Sequence, residues 1–329
     1  MRKSFRTVIT AIAATTALAL TACGGGGEAT STSSPDSSAA GGGKKYAVVL
    51  KVLSSEFWQK MEKGVKDKAK ELGVEVDVYA ANTEDDVEGQ VTLAENLLDK
   101  GYAGIGVAPL TGDNLVNVVA QATEKSIPVI NIDERLNMDA LKAANGAVIG
   151  FVTTDNEKVG EMGAQFILDK LGDAGGQVAI IEGRAGTASG EARKVGATKA
   201  FEAADGVDIV DSQPADWDRT KAYDLATNYI SKNPDLKAIY CANDTMAMGA
   251  QQAVQDSGKD IIVVGTDGNA DAVDSVDAGD LAATVAQDSA TIGAKSMELL
   301  VEYVESGAKF DSSVTGDDTF IDAILITKK

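Results

Sequence analysis

Carboxylates, amides, cations and broad aromatic rings recur immediately after short apolar runs in this chain. Lys51 follows Ala47-Val-Val-Leu50, and Phe57-Trp58 open the helical pattern behind it. Asp133-Glu134 follow Val129 to Ile132, and Arg193 lies early in the helical pattern after Val178 to Glu182. Trp217 sits within Pro214-Ala-Asp-Trp-Asp-Arg219, and Asn243-Asp244 follow Tyr240-Cys241. Asp267 follows Val263-Val-Gly-Thr266, and Gln287 follows Thr284-Val-Ala286. A carboxylate or amide can engage two adjacent hydroxyls, and an indole covers a C–H face. Lys51 and Arg193 against Asp133, Glu134 and Asp267 sum close to neutrality, whereas a phosphate or carboxylate ligand calls for positive excess. The set suits a neutral polyol such as a sugar. Singly, the residues have plainer explanations: Asp244 and Asp271 read as helix caps, Phe57 and Trp58 as core, and Asp133-Glu134 as a solvated turn. Their shared placement carries the ligand reading, because open α/β sheets bind ligands beyond the carboxyl ends of their strands.

The elements that must position these residues follow from periodicity. The spacing predicts strands at Ala47–Leu50, Val74–Tyr79, Ile105–Val107 and Val129–Ile132. Between them it predicts helices at Phe57–Leu72, from Asp85-Asp86 to Lys100, and at Leu115–Lys125, with Gly73 and Gly101 as stops. The pattern then restarts with a strand at Ala147–Phe151 and a helix at Glu157–Leu171. Strands at Val178–Ile181, Ile209–Val210, Ala238–Cys241, Ile261–Val264 and Ala283–Val285 alternate with helices that include Gly190–Ala204 and Lys221–Ser231. This alternation predicts an α/β fold with parallel sheets, in two doubly wound, Rossmann-like lobes and with a first crossover near Val152-Thr153-Thr154.

The chain begins with a basic segment (Arg2, Lys3, Arg6) and an apolar run from Val8 to Leu20. That layout predicts a secretory signal over residues 1–22, too short for a mature bilayer span. Leu20-Thr21-Ala22-Cys23 resembles a bacterial lipobox, which implies cleavage before Cys23 and lipidation of its thiol. Residues 23–43 read as a flexible leash of glycine, serine, threonine and alanine, with an average reach of about 25 Å. The body from Lys44 is long enough for two domains. Removing the first 43 residues takes away three basic and two acidic side chains, leaving 27 basic and 48 acidic and a net charge of −21. That charge repels phosphate backbones and argues against nucleic acid. Histidine is absent, which removes histidine-based triads, general bases and most transition-metal sites. Cys241, the one cysteine of the body, has no partner for an internal disulfide and reads as a buried, inert thiol.

Several stretches carry a family resemblance: Ala47-Val-Val-Leu-Lys-Val-Leu53, Phe151-Val-Thr-Thr-Asp-Asn156, Ala179-Ile-Ile-Glu-Gly183, Ala188-Ser-Gly-Glu-Ala-Arg193, Ser212-Gln-Pro-Ala-Asp-Trp-Asp-Arg219, Lys237 to Gly249 and Val264-Gly-Thr-Asp-Gly268. The body from Lys44 to Thr327 resembles type I periplasmic sugar-binding proteins of the ribose-binding group, which feed ABC importers. The resemblance implies two lobes joined by three hinge strands, with residues 44–153 plus 288–317 in one and 154–287 plus 318–329 in the other. It implies a site of Lys51, Phe57, Trp58, Asp133 and Glu134 from the first lobe and Arg193, Trp217, Asn243 and Asp267 from the second, with Gln287 from a hinge. Phe57, Trp58 and Trp217 would sandwich the sugar ring. Ser55 stands where the family often has asparagine, and Glu56 follows where it has proline. Lys51 replaces the short hydroxyl side chain of the ribose binders, as in the allose-binding branch. That ranks D-allose or a similar hexose above ribose, with ribose, psicose and a sugar-sensing role at a membrane receptor as alternatives.

The implied protein is a monomeric, non-enzymatic lipoprotein outside the cytoplasm, moored to the membrane at Cys23, with ABC permease subunits as partners. It would have no cofactor and no metal. Adjacent carboxylates such as Asp133-Glu134 rarely flank a scissile bond as a glycosidase requires. Gly183–Gly190 lacks the lysine of a phosphate loop, and Gly104-Ile-Gly106 lacks the third glycine of a dinucleotide fingerprint. Asp267-Gly-Asn-Ala-Asp271 begins like a calcium loop, but Ala272 and Ala278 occupy its glycine and closing-glutamate positions.

Overall fold

The computed structural model describes residues 43–328, so the expected signal, Cys23 and nearly all of the leash lie outside the described residues. Residues from Gly43 onward form a compact unit of their own. The first lobe alternates β1 (Lys45–Leu50), α1 (Glu56–Glu71), β2 (Glu75–Ala80), α2 (Val87–Glu95), β3 (Ile105–Val107), α3 (Val116–Glu124), β4 (Val129–Ile132), α4 (Met138–Ala143) and β5 (Gly150–Thr154). Beyond Lys45 every residue of β1 is buried, as expected of a parallel strand covered on both faces. The chain then enters α5 (Asn156–Leu171), β6 (Gly176–Glu182), α6 (Ala188–Glu202), β7 (Val207–Pro214), α7 (Arg219–Lys232), β8 (Leu236–Cys241), α8 (Asp244–Ser257), β9 (Ile262–Asp267), α9 (Ala270–Ala278) and β10 (Ala283–Ala286). It returns through α10 (Ser289–Ser306) to β11 (Asp317–Ile321) and ends in β12 (Ile324–Thr327).

The two sheets run β11-β5-β4-β3-β1-β2 and β12-β10-β9-β8-β6-β7. Each contains a doubly wound order whose direction of winding reverses beside its first strand, β1 or β6. A crevice forms there at the carboxyl ends of the strands, and Lys51 and Gly183 stand just past those two strands.

Helix seams depend on small residues. A Cβ on Gly160 of α5 would lie 2.0 Å from the carbonyl oxygen of Arg193, and one on Gly196 of α6 would lie 1.9 Å from that of Glu157. This backbone-to-backbone approach sets how close α6, and with it Arg193, stands to α5.

Three elements differ from expectation. The helix expected to reach Lys100 ends at Glu95, because the following amides close back three residues: Leu97 to Ala94, Leu98 to Glu95, Lys100 to Leu97. The strand expected at 147–151 runs from Gly150 to Thr154. β11 and β12 were not expected: both are largely exposed edge strands, β11 has little apolar character, β12 is only four residues long, and β12 pairs antiparallel to β10 in an otherwise parallel sheet. β11 pairs with β5 from Asp317 to Ile321. The last passage between sheets therefore lies at Asp322-Ala323, past the expected 317/318 boundary.

Candidate functional site

Both sets of strand ends open onto one cavity of roughly 210 Å³. The first lobe lines it with Lys51, Val52, Ser54, Ser55, Phe57, Trp58, Glu84 and Asp133, the second with Ser189, Arg193, Trp217, Asn243, Thr245 and Asp267. Nine of the eleven expected ligand residues thus meet here.

Backbone geometry aims several of them. Asp133, Trp217 and Asp267 have φ of 59°, 64° and 116°, values that side-chain-bearing residues adopt at a cost of about 1–3 kcal/mol and that cluster at functional sites. Asp133 is held in this conformation by its amide donating to Val152 O at 2.7 Å and by Thr153 Oγ1 donating to its carbonyl at 2.9 Å. Phe57 and Trp58 meet edge to face, centroids 5.1 Å apart. The Trp217 indole rests over Gly183, where a Cβ would come within 2.0 Å of the ring. The Gly183–Gly190 stretch, which lacks the lysine of a phosphate loop, is the seat of an aromatic ring.

Arg193 is fixed by three acceptors. Its Nε donates to Asn156 Oδ1 at 2.8 Å, and one terminal nitrogen donates to Ala242 O at 2.7 Å and Asp267 Oδ1 at 3.4 Å. Gln287 Nε2 donates to the same Asp267 oxygen at 2.7 Å. Asn243 uses its oxygen to cap α8, accepting from Met246 N at 2.9 Å, which leaves its amide nitrogen as a donor. Ser55 occupies the cap position of α1 without a side-chain cap bond.

Burial governs the charges. It pushes the Asp133 carboxyl up to about 7, against the pull of Lys51, and that of Asp267 up to about 6, against Arg193. Glu84 is raised for the same reason. Burial disfavours the charge on Lys51, but Glu134, Glu84 and Asp133 together outweigh it and hold its pKa above the ordinary value. Asp133 Oδ1 and Glu84 Oε2 are buried acceptors without a hydrogen-bond partner. Among the described residues no three Asp, Glu or Cys side chains form a group able to hold a metal ion.

Residues 46–309 match the family described as periplasmic binding protein domain. The chain belongs to the periplasmic binding protein family. It is 54% identical over 285 residues to the D-allose-binding periplasmic protein of Escherichia coli, spanning 86% of this chain and 92% of that protein. It is 36% identical to a ribose import binding protein of Bacillus subtilis, over 73% of this chain and 75% of the relative. Among solved structures, an ABC transporter periplasmic solute binding protein from Actinobacillus succinogenes with bound D-allose superposes with a TM-score of 0.80 at 31% identity, covering 87% of this chain and 98% of that one. Membership of the periplasmic binding protein family places the chain outside the cytoplasm, and among the described residues no helix is long and apolar enough to cross a membrane.

In this periplasmic binding protein, Glu134 and Gln287 stand behind the cavity lining. The left-handed turn at Asp133 sends the two neighbouring carboxylates apart. Glu134 is fully buried, accepts from Lys51 Nζ at 2.9 Å and from Ser189 Oγ at 2.7 Å. Asp244 does not cap its own helix, as Asn243 does that. It accepts instead from Asn269 N and Thr284 Oγ1, both at 2.7 Å. Asp271 lies inside α9, where Asn269 holds the cap position. Val52, Ser54, Glu84, Ser189 and Thr245 went unnoticed in the sequence. Ser189 and Thr245 carried a usable signal, a hydroxyl in the first turn of a helix that follows a strand end.

Proposed function

We propose that this chain captures one neutral monosaccharide, D-allose or a similar hexose, between its lobes and delivers it to an ABC sugar importer. The observation that carries this reading is the pair of buried, unpartnered acceptors at the cavity, Asp133 Oδ1 and Glu84 Oε2. Acceptors in that state call for hydroxyl donors, and an unpaired buried polar group is costly. A phosphate or carboxylate would bring more acceptors. The volume is below the range of about 300–1,000 Å³ typical of drug-sized sites, which suits a single sugar ring. Trp217 on one side and Phe57-Trp58 on the other supply apolar faces for its C–H surfaces. Asp133, Asp267, Arg193 and Asn243 supply forked donors and acceptors for its rim, with Lys51 and Ser55 beside them. In this reading Glu134 orients Lys51 and Gln287 orients Asp267. No proton transfer is needed, so the protein acts as a binder and not as a catalyst.

We further propose that Cys23 carries the lipid and residues 23–43 the leash, so that the loaded body reaches membrane permease subunits. Mass spectrometry of the mature N-terminal peptide tests this: an unmodified Cys23 would contradict it. The sugar assignment is tested by melting the body with D-allose, psicose, ribose, glucose and galactose in parallel. The largest upward shift is expected with D-allose, and a panel with no shift would defeat the proposal.

A further inference from the structure

Two helices of the second lobe begin at the cleft without a cap of their own. Thr187 and Asn269 hold the cap positions of α6 and α9, and neither side chain accepts from its helix. By contrast α5, α7, α8 and α10 are capped locally by Asp155, Asp218, Asn243 and Asp288. For α6 and α9 the acceptors come from the other lobe. Glu134 accepts through Oε1 from the amides of Ala188 and Ser189, the first two residues of α6. Glu56 Oε2 accepts from the amide of Ala270, the first residue of α9, at 2.9 Å. Lys60 pairs with Glu56 at 2.9 Å and donates to Gly268 O, just before α9, at 3.2 Å.

We propose that Glu134 and Glu56 are positioning residues for closure: first-lobe carboxylates that cap α6 and α9 of the second lobe when the lobes meet. The inference rests on the two-lobed capture reading and deepens it. First-turn amides of a helix lack intrahelical partners, and the helix dipole adds partial positive charge there. Glu56 is itself the first residue of α1, so at this rim the starts of α1 and α9 meet with one carboxylate between them. Removing it leaves two like poles opposed. Opening the cleft trades these bonds for bonds to water, so each clasp adds a modest bias and not a lock. Glu134 acts at the dry centre. Glu56 acts at the partly exposed rim, where salt screens it. The aromatic platform and the rim clasp thus share one turn of α1, so seating the ring and joining the lobes happen together.

Glu56 is the residue to change, because Glu134 also holds Lys51. With D-allose loaded, Glu56→Ala is expected to speed sugar dissociation about fivefold, the size of a lost cap. Glu56→Gln, which keeps an acceptor and loses the charge, is expected to fall between. Small-angle scattering of the sugar-free body should show a larger radius of gyration for Glu56→Ala than for the unaltered chain. Unchanged dissociation in Glu56→Ala overturns the proposal. If the unaltered chain binds no D-allose, the functional reading fails and scattering alone decides: a Glu56→Ala body no more expanded than the unaltered one also overturns the clasp.

Discussion

Replacing Gly183 by alanine tests whether the Trp217 indole forms a wall of the sugar site. A Cβ there would meet three ring atoms at 2.0, 2.4 and 2.5 Å, whereas carbon atoms in contact sit about 3.5–4.0 Å apart. The indole must then retreat by about 1.5 Å, and Gly190 limits its escape on the neighbouring side, where a Cβ would stand 3.2 Å from the ring. A ring face covering about 80 Å² of C–H surface contributes about 2 kcal/mol at about 25 cal/mol per Å², or about thirtyfold in Kd. Trp217→Ala should cost that amount, and Gly183→Ala should cost about tenfold by displacing the same ring. The deciding assay is a double-mutant cycle by titration calorimetry with D-allose. With Trp217 already alanine, the added methyl has room and Gly183→Ala should cost nothing further. Additive penalties, or unchanged affinity in Gly183→Ala, would refute the assignment of Trp217 to the cavity wall.

Other outcomes follow from the same geometry. Burial raises Asp133 from 3.8 to about 7, so the folded chain holds this proton more tightly than the unfolded chain does. Its contribution to stability is complete below about pH 4 and is lost as pH rises through 7. Asp133→Asn should flatten that decline and leave the sugar-free body more stable above pH 7, by about 1–4 kcal/mol in denaturant titrations. Hydroxyls donating to the ionised carboxylate favour its charged form. D-Allose affinity should therefore rise from pH 5 to 8 in the unaltered chain and stay flatter in Asp133→Asn. Gly160→Ala should push α6 away from α5, lowering stability by about 1–3 kcal/mol through overpacking and weakening sugar binding through Arg193. Cys241 is fully buried with its thiol pKa raised by burial, so a thiol reagent should label it only after unfolding.

The alternation of apolar runs and helical stripes made the two doubly wound lobes legible. The habit of such sheets to bind at their strand ends is why eight of the lining residues could be named before their meeting was seen, Ser55 being added by the family resemblance. What local pattern could not carry was pairing across the cleft. Glu134 was expected to line the site beside Asp133, yet it bonds to Lys51, Ala188 and Ser189, and the left-handed turn that separates the two carboxylates has no glycine to announce it. Asp244 has the position of a cap but bonds to Asn269 and Thr284 from two later elements. Glu84 follows β2 in a polar loop that reads as solvent-facing. Edge strands such as Asp317-Asp-Thr-Phe-Ile321 meet water along one side, so their charged residues are tolerated and their apolar signal is weak.

The central claim is that a neutral monosaccharide is held between the two lobes by acceptors and rings drawn from both. Titration calorimetry of the body from Lys44 with D-allose tests it most directly. The account predicts one site per chain, with a negative heat-capacity change from burial of the ring faces. Absence of binding heat across several temperatures would contradict it.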